Sequence, residues 1–277
     1  MNYSEAFCNA QYNPRATVAN HLEIMDGWKN KSILAREHSE CVIDIAYGQD
    51  IGERLDIFLT NKKNAPCFVF IHGGYWRASD KSEFSFIAKA IADLGATVFV
   101  VNYGLAPRIT LETIIQQIHR ATQWIYQHAQ EYGANPQELY LSGHSAGGHL
   151  TAMMMASTWL DYPNLSITGA LSISGLYDLE PLVHASFLNS VLQIDVQRAK
   201  AMSPIYQNPK DSIPLWTCVG GEESSEFHRQ NQLIAHSWKK CFRGDIAMPT
   251  YNHFSIMDAM ADSSTPLFQG VKNMLNL

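Results

Sequence analysis

Charge is scarce in this chain of 277 residues. Charged side chains make up 17%, and the formal net charge is −6. That balance excludes the basic stripe that a nucleic acid or an anionic membrane surface requires of a partner. Paired cysteines are lacking too. Cys8, Cys41, Cys67, Cys218 and Cys241 are odd in number, scattered and without a CxxC pair. A disulfide framework and a zinc ribbon are therefore not expected, and reduced thiols in a cytoplasm fit best. The histidines show no HExxH or similar ligand spacing, so neither a metal nor another cofactor is expected. No apolar run reaches the roughly 18 residues of a membrane span. The opening MNYSEAFCNAQYN is polar and lacks the apolar core of a signal peptide. No repeat, low-complexity tract or interdomain linker interrupts the chain. A small-molecule substrate is the partner these absences leave standing, and a homodimer stays open.

Hydrophobic residues, by contrast, make up 46%. That suffices for one large α/β domain over residues 1–277. Strand and helix patterns alternate along it. CVIDIAY (41–47) and RLDIFL (54–59) read as strands joined by a short turn, hence an antiparallel edge. CFVFI (67–71) and ATVFVV (96–101) are continuous apolar runs, as strands covered on both faces should be. Between them helical periodicity runs from Lys81 to Leu94, with Asp80 and Glu83 spaced as a capping box. A long helix from about Leu111 to Tyr132 stops at Gly133. Strand 138–143, helix 146–158, strand 167–174, strand 213–220, helix 226–240, a short strand near 245–249 and a helix near 265–276 complete the series. This order predicts a mostly parallel, doubly wound sheet. Residues 176–212 break the alternation and read as a small cap over the C-terminal edge of the sheet.

Chemistry enters at LSGHSAGGHL, residues 141–150. Gly143-His144-Ser145-Ala146-Gly147 is a G-x-S-x-G frame between a strand and a helix, the context of a nucleophile elbow. The turn is so tight that side chains two residues either side of the serine would collide. An ordinary Gly-Ser turn is the plain alternative, since the five-residue pattern alone is common. A serine hydroxyl needs a base, and in such folds the order is serine, acid, histidine. Of eleven histidines only His253, in PTYNHFSIMD, follows the last strand and precedes a helix. The acid has three candidates. Glu223 lies one step further into the loop after WTCVGG than Glu222, and Asp178 follows the preceding strand. Glu223 is preferred. The transition state also needs N–H donors aimed at the carbonyl oxygen. Ala146 supplies one as the residue after the nucleophile. HGGYW (72–76) sits after the third strand, where Gly73 and Gly74 let backbone N–H groups approach an oxyanion without a Cβ in the way. Tyr75 and Trp76 follow directly. They either stack on an aryl group of the substrate or, for Trp76, pack beneath the loop as core.

HGGYW resembles the HGGxW motif of the serine-type arylformamidases, also called kynurenine formamidases, which are similar to the hormone-sensitive-lipase branch of the α/β-hydrolases. The likeness continues in QYNPRATV (11–18), VNYGLAP (101–107), GHSAGGHL (143–150), SGLYDLEPL (174–182), SP (203–204), SSEFHRQ (224–230) and NHF (252–254). It implies the α/β-hydrolase fold. It also implies an acid just ahead of SSEFHRQ, at Glu223, where the family usually has Asp. The implied reaction is hydrolysis of N-formyl-L-kynurenine to L-kynurenine and formate, a step of tryptophan degradation. A carboxylesterase of small aryl or alkyl esters shares the same frame. A non-catalytic binding protein on this fold typically lacks the serine or the histidine, and here Ser145 and His253 are both present.

Overall fold

A computed structural model describes residues 3–210 and 212–277. The chain begins with three helices that its polar N-terminus does not announce: α1 (Glu5–Gln11), α2 (Pro14–Thr17) and α3 (His21–Glu37). Ser4 caps α1 by accepting from the N–H of Phe7, and Pro14 opens α2 where its missing N–H costs nothing. Strands β1 (Cys41–Ala46) and β2 (Arg54–Phe58) form the expected antiparallel pair. β3 (Ala65–Ile71) follows, then a 3₁₀ turn at Lys81–Phe84 leading into α4 (Ser85–Leu94), then β4 (Thr97–Val101). Asp80 does cap this entry, but its carboxylate takes the N–H of Ser82. α5 (Leu111–His128) tightens into a 3₁₀ turn that Gly133 ends at φ 72°.

β5 (Ala134–His144) leads directly through Ser145 into α6 (Ala146–Met155). β6 (Ile167–Ile173), the short helices α7 (Ser186–Leu192) and α8 (Val196–Ala201), and β7 (Leu215–Gly220) come next. α9 (Ser225–Ser237), β8 (Phe242–Met248), α10 (Ser255–Ala259) and α11 (Pro266–Met274) close the chain.

The eight strands lie in the order β1-β2-β4-β3-β5-β6-β7-β8. Pairing is parallel from β4 through β8, and β2 is antiparallel to both its neighbours. Strand periodicity explains why the central strands read as unbroken apolar runs. Cys67, Val69 and Ile71 of β3 point into one core, while Phe68 and Phe70 point into the other. Phe99 and Val101 of β4 divide from Val98 and Val100 in the same way. The first core lies under α5, α6 and α9, and the second under α3, α4, α10 and α11. Each buried CH₂ on these faces is worth about 0.8 kcal/mol. Among the described residues no helix is long and apolar enough to cross a membrane.

Candidate active site

The elbow is a strained and closely packed turn. Ser145 holds φ 55° and ψ −116°, a combination that costs a non-glycine residue on the order of 1–3 kcal/mol. Its N–H donates to the carbonyl of Ile173 at 2.8 Å. A Cβ on Gly143 would fall 2.3 Å from the carbonyl oxygen of Gly147, and one on Gly147 only 1.9 Å from that of Ile71. Both glycines of the frame are therefore required by contact. Ala146 is the first residue of α6, so its N–H has no partner within the helix and remains available to an anion.

The loop after β3 presses against this turn. A Cβ on Gly73 would stand 2.9 Å from the carbonyl oxygen of His144 and 3.1 Å from Cβ of Ser145. Gly74 sits at φ 103°, and Tyr75 and Trp76 at 51° and 55°, so three successive residues occupy left-handed backbone. The amides of Arg77 and Ala78 both donate to the carbonyl of Gly74 at 3.1 Å and close the turn. His72 anchors its base. The ring contacts the carbonyl of Gly73 and Oδ1 of Asn102, and Tyr103 stacks on it at 4.3 Å.

On the opposite side, His253 lies in the loop between β8 and α10. Its Nδ1 meets Oε2 of Glu223 at 2.6 Å. The other oxygen of Glu223 accepts from Ser174 Oγ at 2.5 Å and from the N–H of Gly220 at 2.8 Å. These bonds lock the carboxylate, whose side chain is wholly buried. Asp178 is engaged elsewhere. It accepts from the N–H of Glu180 and faces the Arg229 guanidinium at 3.4 Å. Glu222 is exposed at the rim of the loop.

Ser145 and His253 line one cavity of about 60 Å³, together with Gly73, Gly74 and Tyr75. Trp76 does not reach it. That ring is fully buried and stands edge-on to His149 at 5.0 Å, so it is core, and the expectation of substrate contact is corrected at this position. With three left-handed residues in a row, no strand or helix periodicity tells which ring faces the cleft. Tyr75 does face it, edge-on to Phe187 at 6.1 Å, and its hydroxyl donates to the carbonyl of Tyr12.

The remaining wall comes from residues to which the sequence alone assigns no role. Trp28, Phe84, Phe187 and Phe254 supply aromatic faces, and Asn13, Arg15 and Arg77 supply polar groups. His144, the second residue of the frame, also lines the cavity. Burial, reinforced by the neighbouring His253, holds its imidazole well below the usual histidine range. It is thus neutral near pH 7. Among the described residues, 176–212 lend only Phe187 to this wall, whereas the N-terminal segment lends Asn13, Pro14, Arg15, Met25 and Trp28. The roof is N-terminal. Gln11 fastens it by accepting from Ser224 Oγ at 2.6 Å, and the Tyr12 hydroxyl donates to Glu226 at 2.6 Å.

The family model BD-FAE matches residues 55–236, from β2 to within α9. The chain belongs to the BD-FAE family. Among curated relatives it is similar to the kynurenine formamidase of Danio rerio, 28% identical over 269 residues, covering 92% of this chain and 89% of that one. The kynurenine formamidase of Salmo salar is 29% identical and covers 87% and 84%. Among solved structures, a candidate thioesterase from silicibacter sp. tm1040 aligns with a TM-score of 0.79 at 28% identity, over 96% of this chain and 97% of that one. Esterase B from Lactobacillus Rhamnosis aligns at 0.70 and 17%, over 96% and 95%, and shares the fold.

Proposed function

We propose that this BD-FAE protein is a serine hydrolase of aryl formamides, cleaving N-formyl-L-kynurenine to L-kynurenine and formate. One observation carries the reading. A serine on a strained elbow and a histidine bonded to a buried carboxylate share a cavity walled by aromatic rings. The similarity to kynurenine formamidases over 92% of the chain supports the same reading.

In this mechanism His253 takes the proton of Ser145 as the oxygen attacks the formyl carbon. The carbonyl π pair moves onto oxygen. Backbone N–H groups of Gly73 or Gly74 and of Ala146 receive that oxyanion, worth about 3–4 kcal/mol per donor in comparable sites. Glu223 keeps Nδ1 of His253 protonated and stabilises the imidazolium. Collapse breaks the C–N bond, and His253 passes its proton to the leaving aryl amine. Water then repeats the sequence on the formyl ester of Ser145 and releases formate. Formyl is the smallest acyl group, which suits a cavity where Gly73 lies against Ser145. Cys8, Cys41, Cys67 and Cys218 are free thiols, which supports a reducing, cytoplasmic setting.

The test is a kinetic comparison of N-formyl-L-kynurenine with p-nitrophenyl acetate. A kcat/KM higher for the formamide sustains the reading. Turnover of the ester alone replaces it with a carboxylesterase.

A further inference from the structure

We propose that Arg15 and Arg77 form a carboxylate-binding subsite in the Ser145 cavity, one that selects substrates whose leaving group carries an anion. The inference rests on the aryl formamidase reading for the identity of the leaving group, an aromatic amine. It rests on the cavity itself for the anion.

Both arginines line the cavity that holds Ser145 and His253, and among the described residues no Asp or Glu lines it. Four other arginines meet carboxylates, while Arg36, Arg54 and Arg243 donate to backbone carbonyls outside the cavity. Arg108, Arg120, Arg198 and Arg229 each meet a carboxylate at ion-pair distance. Among the described residues, neither Arg15 nor Arg77 has such a partner. Arg77 is half-buried and held in place. One of its Nη1 donors goes to the carbonyl of Phe187 at 2.7 Å, and the guanidinium lies over the Phe187 ring at 5.6 Å. A guanidinium carries five N–H donors in a fixed fork. Several of those on Arg77 are therefore free for a ligand that enters beside Phe187. Burial, with the charge of Arg15 adding to it, pushes Arg77 below its ordinary range. A partly buried cation without a counter-ion is unfavourable, and an entering carboxylate removes that penalty through paired, planar hydrogen bonds.

The two arginines also come from opposite sides of the cleft. Arg77 directly follows the Gly73–Trp76 turn, and Arg15 sits in α2 of the roof. A carboxylate held by both would bridge roof and oxyanion loop, placing the ring between them against Tyr75 and Phe187. The amide to be cleaved would then point toward Ser145. A substrate with an anionic substituent on its aryl amine thus aligns itself, whereas a neutral aryl formamide has only stacking to orient it.

The full chain is assayed on N-formyl-L-kynurenine and on its decarboxylated analogue, N-formylkynuramine, and the ratio of their kcat/KM values is read. General losses from partial misfolding cancel in that ratio. Wild type favours the carboxylate-bearing member by about tenfold or more. Arg15→Gln, on the exposed rim, and Arg77→Gln each lower the ratio by about tenfold. Arg77→Lys lowers it less, because the charge stays and the fork goes. A wild-type ratio near one, or a ratio that these substitutions leave in place, overturns the subsite. If wild type cleaves neither formamide, the formamidase reading falls by itself. The subsite is then tested by the ratio of kcat/KM on 3-acetoxybenzoate to that on 3-acetoxybenzamide. A ratio of about tenfold that falls in the arginine variants sustains it, and a ratio near one or insensitive to them overturns it.

Discussion

At position 145 the backbone adopts a conformation that a side chain resists, and the reward for that strain is chemical. Ser145→Ala keeps the elbow and removes only the oxygen. The expected result is a folded protein whose kcat drops on the order of 10⁶-fold. Residual activity above about a tenth of wild type, measured on a sample with an unchanged circular dichroism spectrum, would identify a different nucleophile. The two candidate acids separate in the same assay. Glu223 faces His253 at 2.6 Å, while Asp178 is engaged with Arg229. Glu223→Ala should lower kcat by about 10⁴, and Asp178→Ala far less. Equal losses would remove Glu223 from the mechanism. These positions are legible in the sequence because each stands at the end of a strand next to glycines or in the last loop. Trp28 is not, because it reaches the cavity from a helix that carries no motif, and Arg15, Arg77 and Phe254 lie in or beside quoted stretches without any pattern that aims them at the cleft. Trp76 shows the other limit, since composition announces a ring but not its direction.

At the scale of elements, strands β3 to β7 are readable because central parallel strands must be apolar on both faces. The helices α4 to α6 are readable because they alternate with those strands. α1 to α3 are not. Only Trp28, Ser32 and Ala35 of α3 are buried, which leaves too narrow a stripe for helical periodicity to stand out. What holds these helices is distant in sequence. The bond from Tyr12 to Glu226 spans 214 positions. Tyr12→Phe should lower stability by about 1–3 kcal/mol, because Glu226 loses a buried donor. Phe at this position should also raise KM more than it lowers kcat, since roof and cleft share that anchor. An unchanged urea midpoint together with an unchanged KM would show that the roof is held by other contacts. In the elbow, Gly147→Ala drives a methyl group into the carbonyl of Ile71. Here the expected loss is about 3 kcal/mol or more. A wild-type urea midpoint would mean that the strand and helix can move apart.

Across the whole molecule the charge pattern sets the acid limit of stability. The Arg108 hydrogen bond to Asp50 holds that carboxyl down, from 3.8 to about 2. A carboxyl with a depressed native value adds stability above its unfolded value. The contribution fades as the pH falls from 3.8 toward about 2. Arg108 is half-exposed, so screening limits the gain to about 1 kcal/mol or less. Asp50→Asn should therefore unfold at a lower urea concentration than wild type at pH 6, with the gap closing near pH 2. A gap that stayed constant across this range would show that the Asp50 charge does not set it.

The roof adds a matter of timing. Gln11 and Tyr12 leave the ribosome more than 210 residues before Ser224 and Glu226, the groups they fasten to. At about 5–20 residues per second that interval is roughly 10–40 s. The glycine loop and then the elbow are made within that interval, before the groups that fasten Gln11 and Tyr12 exist. The segment that carries Gln11 and Tyr12 thus waits for its anchors, whereas α3 can pack on α4 as soon as that helix is made. Until α9 is made, Gln11 and Tyr12 lack the bonds that fasten the roof over the cleft.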